Sequence, residues 1–202
     1  MGGSVVEWLV QELKSLTVAL KRAERGRQAV MNLSSALLKF RDAKSLCQGL
    51  LQELRSLVRA DNGSVMLLDP TGDYLTIVAD IDLPPEVKRA KVPLVGSTCA
   101  PVIASGEPVL LRGSQGPRSR AQRGTRCSMV VPVVCSGRTI GVVNLNIVGG
   151  AHSFDEVDLD LATTAAATFG ATLEALELEE ARRGLMVATI RALAQTLEAK
   201  DP

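Results

Sequence analysis

Four cysteines, at positions 47, 99, 127 and 135, and one histidine, His152, are the side chains of this chain best suited to nucleophilic or metal chemistry. No CxxC pair and no framework of close, even spacings occurs among the cysteines, which reads as reduced, buried thiols rather than disulfides. Cys99 falls in a short helical segment, and Cys127 and Cys135 flank an apolar run, so the three can be imagined converging on one redox site. Their spacing argues against it. Along a regular strand, residues eight apart face the same way but stand about 26 Å from each other, so Cys127 and Cys135 share a site only if the strand bends. His152, in the loop GGAHSF, is the sole imaginable axial ligand for a haem, and a lone loop histidine reads more simply as solvated. No cysteine stands beside a histidine as a bilin attachment would require. No catalytic residue and no metal ligand is therefore expected; haem and bilin are disfavoured.

The loop RGSQGPRSRAQRGTR carries Arg112, Arg118, Arg120, Arg123 and Arg126 among glycine, serine and glutamine. It has too little apolar surface to join a core. Guanidinium forks suit phosphates and carboxylates, so the loop has a functional reading as a basic cover over an anionic ligand, and a plainer one as a solvated loop.

What positions these residues is a pair of apolar strands, MVVPVV and TIGVVNLNI, joined at Ser136-Gly137. Their near-continuous apolarity predicts a hairpin covered on both faces, at the centre of a layered fold; which alternate residues face which way is left open by an all-apolar run. Two more strands, SVMLLD and YLTIVAD, are separated by the turn residues Asp69 to Asp73. A short strand is expected near Val92 to Val95, a short helix in GSTCAPVIASG with Ser97 or Thr98 near its N-cap, and a strand in EPVLLR. The segment AKSLCQGLLQELRSLVRA places Leu46, Leu50, Leu54, Leu57 and Val58 on one helical face. The order predicts an α+β fold: a central antiparallel sheet of about five or six strands between long helices and shorter ones.

At the ends the pattern changes to coiled-coil seams. Val6, Leu9, Leu13, Leu16, Leu20 and Ala23 follow 3-4 spacing, continued less well by Arg27, Val30, Ser34 and Leu37. Such a stripe calls for a partner helix, and a parallel homodimer is expected, against the plainer reading of a helix lying on its own domain. Gly26 reads as a break between arm and domain. Ser153 and Glu156 are the expected N-cap and capping-box pair of the last helix, whose small-residue run ATTAAATFGATLEA allows close packing. Beyond it, Leu173, Leu176, Glu180, Arg183, Val187, Ile190, Ala194 and Leu197 form a second seam with a polar centre.

Composition excludes several classes. With 23 Lys and Arg against 22 Asp and Glu, the chain has no electrostatic case for nucleic acid or an anionic membrane. It has no apolar run of about 18 residues for a membrane span, and no secretory leader is expected. The expected location is the cytoplasm.

The blocks ADNGSVMLLDPTGDYLTIVAD, GSTCAPVIASGEPVLL, SMVVPVVCSGRTIGVVNLN and FDEVDLDLATTAAATFGATLEALELEE resemble successive parts of a GAF domain, with ASGEPV and the VVPV…G…IGVVNL hairpin the most specific. The resemblance implies a regulatory module that binds a small molecule between the sheet and short helices and passes the change to an output domain. It places a pocket serine at Ser64 and the pocket-lining helix start at Thr98 and Cys99. Ser64 and Ser128 can supply hydroxyls beside an apolar wall of Met66, Val78, Met129 and Val131, and a helix N-terminus favours anions. Nucleotide-binding members are similar in an Asn-Lys…Phe-x3-Asp-Glu pattern; Asn144, Phe154 and Asp158 match it, while the lysine and last acid do not. The candidate ligand contacts are thus Ser64, Met66, Val78, Thr98, Cys99, Arg112, Arg126, Ser128, Met129 and Asn144, for a cyclic nucleotide or another small metabolite. Some GAF proteins are free-methionine-sulfoxide reductases with a cysteine trio; their surrounding motif is missing here. The C-terminal TIRALAQTLEAKDP is similar to the lead-in of an HD-GYP phosphodiesterase domain, which would make cyclic-di-GMP the output chemistry. The expected divisions are a signalling helix over 1–27, the sensor over 28–172 and an output helix over 173–202.

Overall fold

The computed structural model describes residues 3–37, 42–88, 90–113, 124–149 and 152–198. The helix α1 (Gly3–Leu37) and α2 (Ala43–Val58) precede the hairpin of β1 (Asn62–Leu68) and β2 (Tyr74–Ile81). A single helical turn α3 (Pro85–Lys88), the short β3 (Lys91–Pro93), α4 (Ala100–Ser105) and β4 (Val109–Arg112) follow. The central hairpin is β5 (Cys127–Cys135) and β6 (Arg138–Ile147), and α5 (Glu156–Glu198) closes the chain. All strand pairs are antiparallel, in one six-stranded sheet of order β3-β2-β1-β6-β5-β4. The fold is α+β, with the hairpin's β6 in the middle of the sheet beside β1.

Both faces of the sheet are covered, which is why β5 and β6 carry so few polar residues. On one face, Val65, Ala79, Met129, Val131, Val133, Val143, Leu145 and Ile147 pack against Leu46, Leu50 and Leu54 of α2 and Ala162, Ala166 and Phe169 of α5. On the other, a smaller cluster joins Met66, Leu75, Val130 and Val142 to Cys99 and Val102 of α4. Bulges between Val65 and Met66 and between Val133 and Val134 let the sheet curl without losing this division. Pro132 lacks a ladder N–H, yet is tolerated because β4 pairs with β5 only as far as Val130.

Helix ends follow local chemistry. Asp42 caps α2: Ser45 donates from its hydroxyl at 2.6 Å and from its backbone N–H at 2.8 Å, holding the Asp42 carboxyl below the usual carboxylate range. At the start of α5 the reciprocal pair is Asp155 with Asp158, not Ser153 with Glu156: each backbone N–H donates to the other's carboxylate, at 3.1 and 3.0 Å. Phe154 is buried in the helix-side core, which delays the helix to Glu156. The expected N-cap of α4 also shifts, to Cys99, which makes no side-chain cap bond, while Ser97 donates to the Leu94 carbonyl instead. Pro101 lies in the first turn and Gly106 ends the helix in a left-handed conformation, as the pattern required.

Two expectations about the long helices are corrected. The helix α1 runs unbroken through Gly26, because the missing side chain is a packing feature: a Cβ there would collide with Leu161 of α5. On α5, Leu173 is buried in the domain core and Leu176 packs against it, so the first two positions of the expected seam are used internally. Among the described residues of that arm, Leu178, Leu185 and Met186 are large exposed apolar side chains. The small-residue run likewise packs against the chain's own sheet; a Cβ at Gly170 would strike the Val134 carbonyl oxygen. The seam of α1 is exposed at Val6, Leu9, Leu13, Leu16 and Leu20, with Leu13 and Leu20 each 62 % exposed. The side chains of Ala23, Arg27, Val30, Ser34, Leu37, Val187, Ile190, Ala194 and Leu197 lie outside the described residues.

Candidate functional site

Strand parity sorts the candidate ligand contacts. Ser64 and Met66 on β1, Ser128 on β5 and Asn144 on β6 point to the face covered by α4, where Cys99 also lies. Met129 and Val131 sit one residue out of phase with Ser128 and point to the helix side, where Val78, at the β2 bulge, packs as well. The expected apolar wall is therefore split: Met66 lines the α4 face and Val78, Met129 and Val131 belong to the opposite core. The floor of the α4 face is made instead by Met66, Val130 and Val142.

This face is graded along the strands. At the α4 end its residues are apolar; towards the other end they become polar at every second position. Asn62 and Ser64 on β1, Asn144 and Asn146 on β6 and Ser128 on β5 lie on adjacent rungs, since Ser64 pairs with Asn144, and Asn62 and Ser128 both pair with Asn146. One rung is saturated. The Ser128 hydroxyl donates to Asn146 Oδ1 at 2.7 Å, and Asn146 Nδ2 donates to Asn62 Oδ1 at 2.8 Å. On the next rung Asn144 Oδ1 is buried and has no hydrogen-bond partner. Asn62 and Asn146 were not among the sequence candidates, although the i, i+2 spacing of polar residues in NGS and NLN carried the signal.

The remaining candidates stand at the margin. Thr98 is half-buried just ahead of α4, a helix of six residues, too short to lend much dipole to an anion. Arg112 pairs in register with Cys127, on the helix side of the sheet edge, and is exposed. Arg126, also exposed, has its carbonyl bound by the Gly113 N–H at 2.9 Å, closing the base of the basic loop. Arg118, Arg120 and Arg123 lie outside the described residues.

The cysteines do not assemble. Cys99 is on the α4 face, and Cys47 and Cys127 are in the helix-side core. Burial pushes the Cys47 and Cys99 thiols up to about 11 and raises Cys127 and Cys135 as well, so none is poised as a thiolate. His152 lies at the opposite end of the sheet from α4, 3.1 Å from the Arg59 carbonyl oxygen. There it borders an open groove of about 880 Å³, whose charged walls include the ion pairs Arg55–Asp82 at 2.7 Å and Lys88–Asp80 at 2.8 Å. Among the described residues no cluster of three metal-ligating side chains occurs, and no helix is long and apolar enough to cross a membrane.

Comparison with known proteins follows the same layout. The family model described as GAF domain matches residues 42–173, from the N-cap of α2 to the buried Leu173 of α5. Among solved structures, the chain is similar to free methionine-R-sulfoxide reductase from Neisseria meningitidis in complex with its substrate. That match has 19% identity and a TM-score of 0.69, covering 78% of this chain and 93% of that one. It is similar to the GAF domain of a phosphoenolpyruvate-protein phosphotransferase from Coxiella burnetii, with 15% identity, a TM-score of 0.68 and coverage of 79% and 98%. The second GAF domain of DevS from Mycobacterium smegmatis matches at 20% identity and TM-score 0.59, covering 71% and 99%. At these identities the likeness is one of fold. No curated protein matches the chain in sequence.

Proposed function

The chain belongs to the GAF domain family, and on that premise we propose that it is the small-molecule-sensing module of a signalling protein, passing ligand state along α5 to an output domain. The observation that carries this reading is the division of labour between the two faces of the sheet. The helix-side face holds α2 and α5 through a large, tightly closed core, while the α4 face combines a small apolar cluster with a buried polar rung whose Asn144 acceptor has no partner. A purely structural sheet face has no use for such a group.

The module acts as a parallel homodimer. The exposed 3-4 stripe of α1 from Val6 to Leu20, and the exposed Leu178, Leu185 and Met186 of α5, support this. For the output we take an HD-GYP phosphodiesterase acting on cyclic-di-GMP, on the likeness of residues 189–202 to the segment leading into such domains. The setting is cytoplasmic, and the module itself is regulatory rather than enzymatic.

A second reading is favoured by one observation: Met66, Leu75, Cys99, Val102, Val130 and Val142 already pack together, so the apolar half of the face is filled by its own side chains. On that reading the domain is a dimerising relay without a ligand. A sulfoxide reductase of the cysteine type has less support, since all four thiols are buried and Cys99 lies on the opposite face from Cys47 and Cys127.

A thermal-shift screen against nucleotides and small metabolites separates the first two. Any compound that binds the folded state alone must raise the melting temperature, by RT ln(1 + [L]/Kd) in free energy. A saturable rise of about 2 °C or more supports sensing; flat traces across the panel leave the relay.

A further inference from the structure

We infer that the polar rung of the α4 face recognises a neutral planar ring whose edge carries an N–H beside an acceptor, a cyclic amide being the simplest such group, with Asn144 as the residue that reads it. This rests on the reading of that face as a ligand site and names the chemistry the site takes.

Three observations converge on Asn144. Its Oδ1 is buried without a hydrogen-bond partner, a state that is unfavourable in a ligand-free core and is relieved by a donor from outside the chain. Asn144 as a whole is only partly covered, whereas its polar neighbours are closed off, Ser64 at 3%, Ser128 at 4% and Asn146 at 2% exposed. Asn62 and Asp80 are partly exposed as well, but on the rung of Asn144 the amide is the polar side chain whose acceptor is covered by the chain and unused by it. Finally, on the neighbouring rung Ser128, Asn146 and Asn62 bond to one another, so both ends of the Asn146 amide are used within the chain, and they hold β1, β5 and β6 in register around Asn144.

The ligand's chemistry follows from what surrounds that amide. A primary carboxamide presents one acceptor and one donor side by side in a plane, the complement of a cis amide edge, as in a lactam ring, or of an amino group next to a ring nitrogen. Asn144 stands between Ser64 and Val130 on its rung, with Met66 and Val142 one rung further on. A ring held by its edge at Asn144 therefore lays its body against apolar side chains on the α4 side. At the far end of the rung Asp80 Oδ1 lies 2.8 Å from the Lys88 ammonium without a well-aligned hydrogen bond, a pair of opposite charges that offers no net charge to a ligand. This selects a neutral ring over an anion.

The test uses the full chain, isotope-labelled, with the Asn144 Nδ2 resonances assigned by their loss in Asn144→Leu. Uracil and 2-pyridone, which carry the N–H beside a carbonyl, are titrated in parallel with 1,3-dimethyluracil and N-methyl-2-pyridone, which lack it. We expect saturable shifts of the Asn144 amide and the Val130 methyls with the first pair, binding at least about tenfold weaker with the second, and no binding to Asn144→Leu. That variant should fold with an equal or higher melting temperature, because it removes an unsatisfied buried acceptor; Asn144→Ala serves if Leu does not fit. Equal binding of the methylated probes, undiminished binding to a folded Asn144 variant, or silence with all four probes overturns the inference. A compound from the wider screen that moves the Met66 and Val142 methyls while leaving the Asn144 amide unmoved also overturns it, yet leaves the sensing reading standing. If nothing in that screen moves this face, both fall.

Discussion

Ser136, at the tip of the β5–β6 hairpin, is held by both carboxylate oxygens of Glu174 on α5: its hydroxyl donates to Oε1 at 2.8 Å and its backbone N–H to Oε2 at 3.2 Å. The turn itself is tight, with Ser136 at φ 50 and Gly137 at φ 73, the twist that two-residue hairpins need. One residue before Glu174, Leu173 is the last buried side chain of α5 among the described residues. The clasp therefore sits where the helix leaves the domain, and it ties the sheet's central hairpin to the departing arm.

Glu174→Ala removes that clasp at an exposed position, so its effect on global stability is small, about 0.5–1 kcal/mol. Its local effect is larger: the Ser136 amide loses its acceptor and exchanges with solvent faster, while amides in the middle of β6 keep their protection. Hydrogen exchange by NMR checks this, and an unchanged Ser136 rate means the pairing is not held in solution.

Gly170→Ala and Gly184→Ala should move stability in opposite directions. Alanine is the better helix former by about 1 kcal/mol, and at Gly184 nothing stands within 4 Å of the added carbon, so that variant gains most of this. At Gly170 the same carbon meets the Val134 carbonyl oxygen, and the helix must lift off β5, a loss on the order of 3 kcal/mol that outweighs the propensity gain. Denaturant unfolding of the two variants settles the order; stabilisation by Gly170→Ala would mean α5 does not lie so close.

The buried thiols give a pH signature at the alkaline end. Burial lifts Cys47 and Cys99 from 9.0 to about 11, so in this window the folded state keeps protons that the unfolded chain has released. Stability from these groups is complete below pH 9 and falls as pH rises towards 11, by about 1.4 kcal/mol per pH unit for each thiol. Melts at pH 8 and pH 10.5 should show Cys47→Ala and Cys99→Ala less stable at the lower pH but flatter across the range. Parallel slopes for wild type and both variants would contradict the raised values. Native alkylation by iodoacetamide at pH 8 should also be slow at both positions.

Replacing Leu9, Leu13 and Leu16 together by glutamate places charge along the exposed stripe of α1 without touching the domain core. Light scattering at micromolar concentration should give twice the chain mass for the wild type and a single chain mass for the variant, with the melting transition of the sheet retained. A wild type at single chain mass would refute the dimer.

How much of this could be read from the residues depended on whether the relevant interaction was local. The order of strands, the turn at Ser136-Gly137, the short helix ending at Gly106 and the inner face of α2 all follow from patterns within a few residues, and each is present. Facing is not legible in MVVPVV, because covering on both sides erases the alternation that would reveal parity; Met129 and Val131, grouped by type with Ser128 as one wall, turn out to lie on the opposite face from it. The bulge at Val65/Met66 similarly moved Val78 to the helix side. Gly26 looked like a break because propensity counts only the residue itself, whereas its reason for being glycine is Leu161, far away in sequence. At Asn144 and Asn146 the residue type was informative but its use was not: one amide is consumed by a ladder, the other is left open, and only the pairing of β1, β5 and β6 separates them.

The contact of Gly26 with Leu161 has a mechanical consequence. Backbone brought this near to a neighbouring side chain leaves little play, so the two long helices are closely packed where Gly26 meets Leu161. From that point, at roughly 1.5 Å per residue, α1 reaches about 35 Å to Gly3 and α5 about 55 Å to Glu198. They form a pair of levers on a common fulcrum. A rotation of about 5° there would carry the far ends sideways through roughly 3 Å and 5 Å, so the length of the two helices magnifies any small change of angle where they meet.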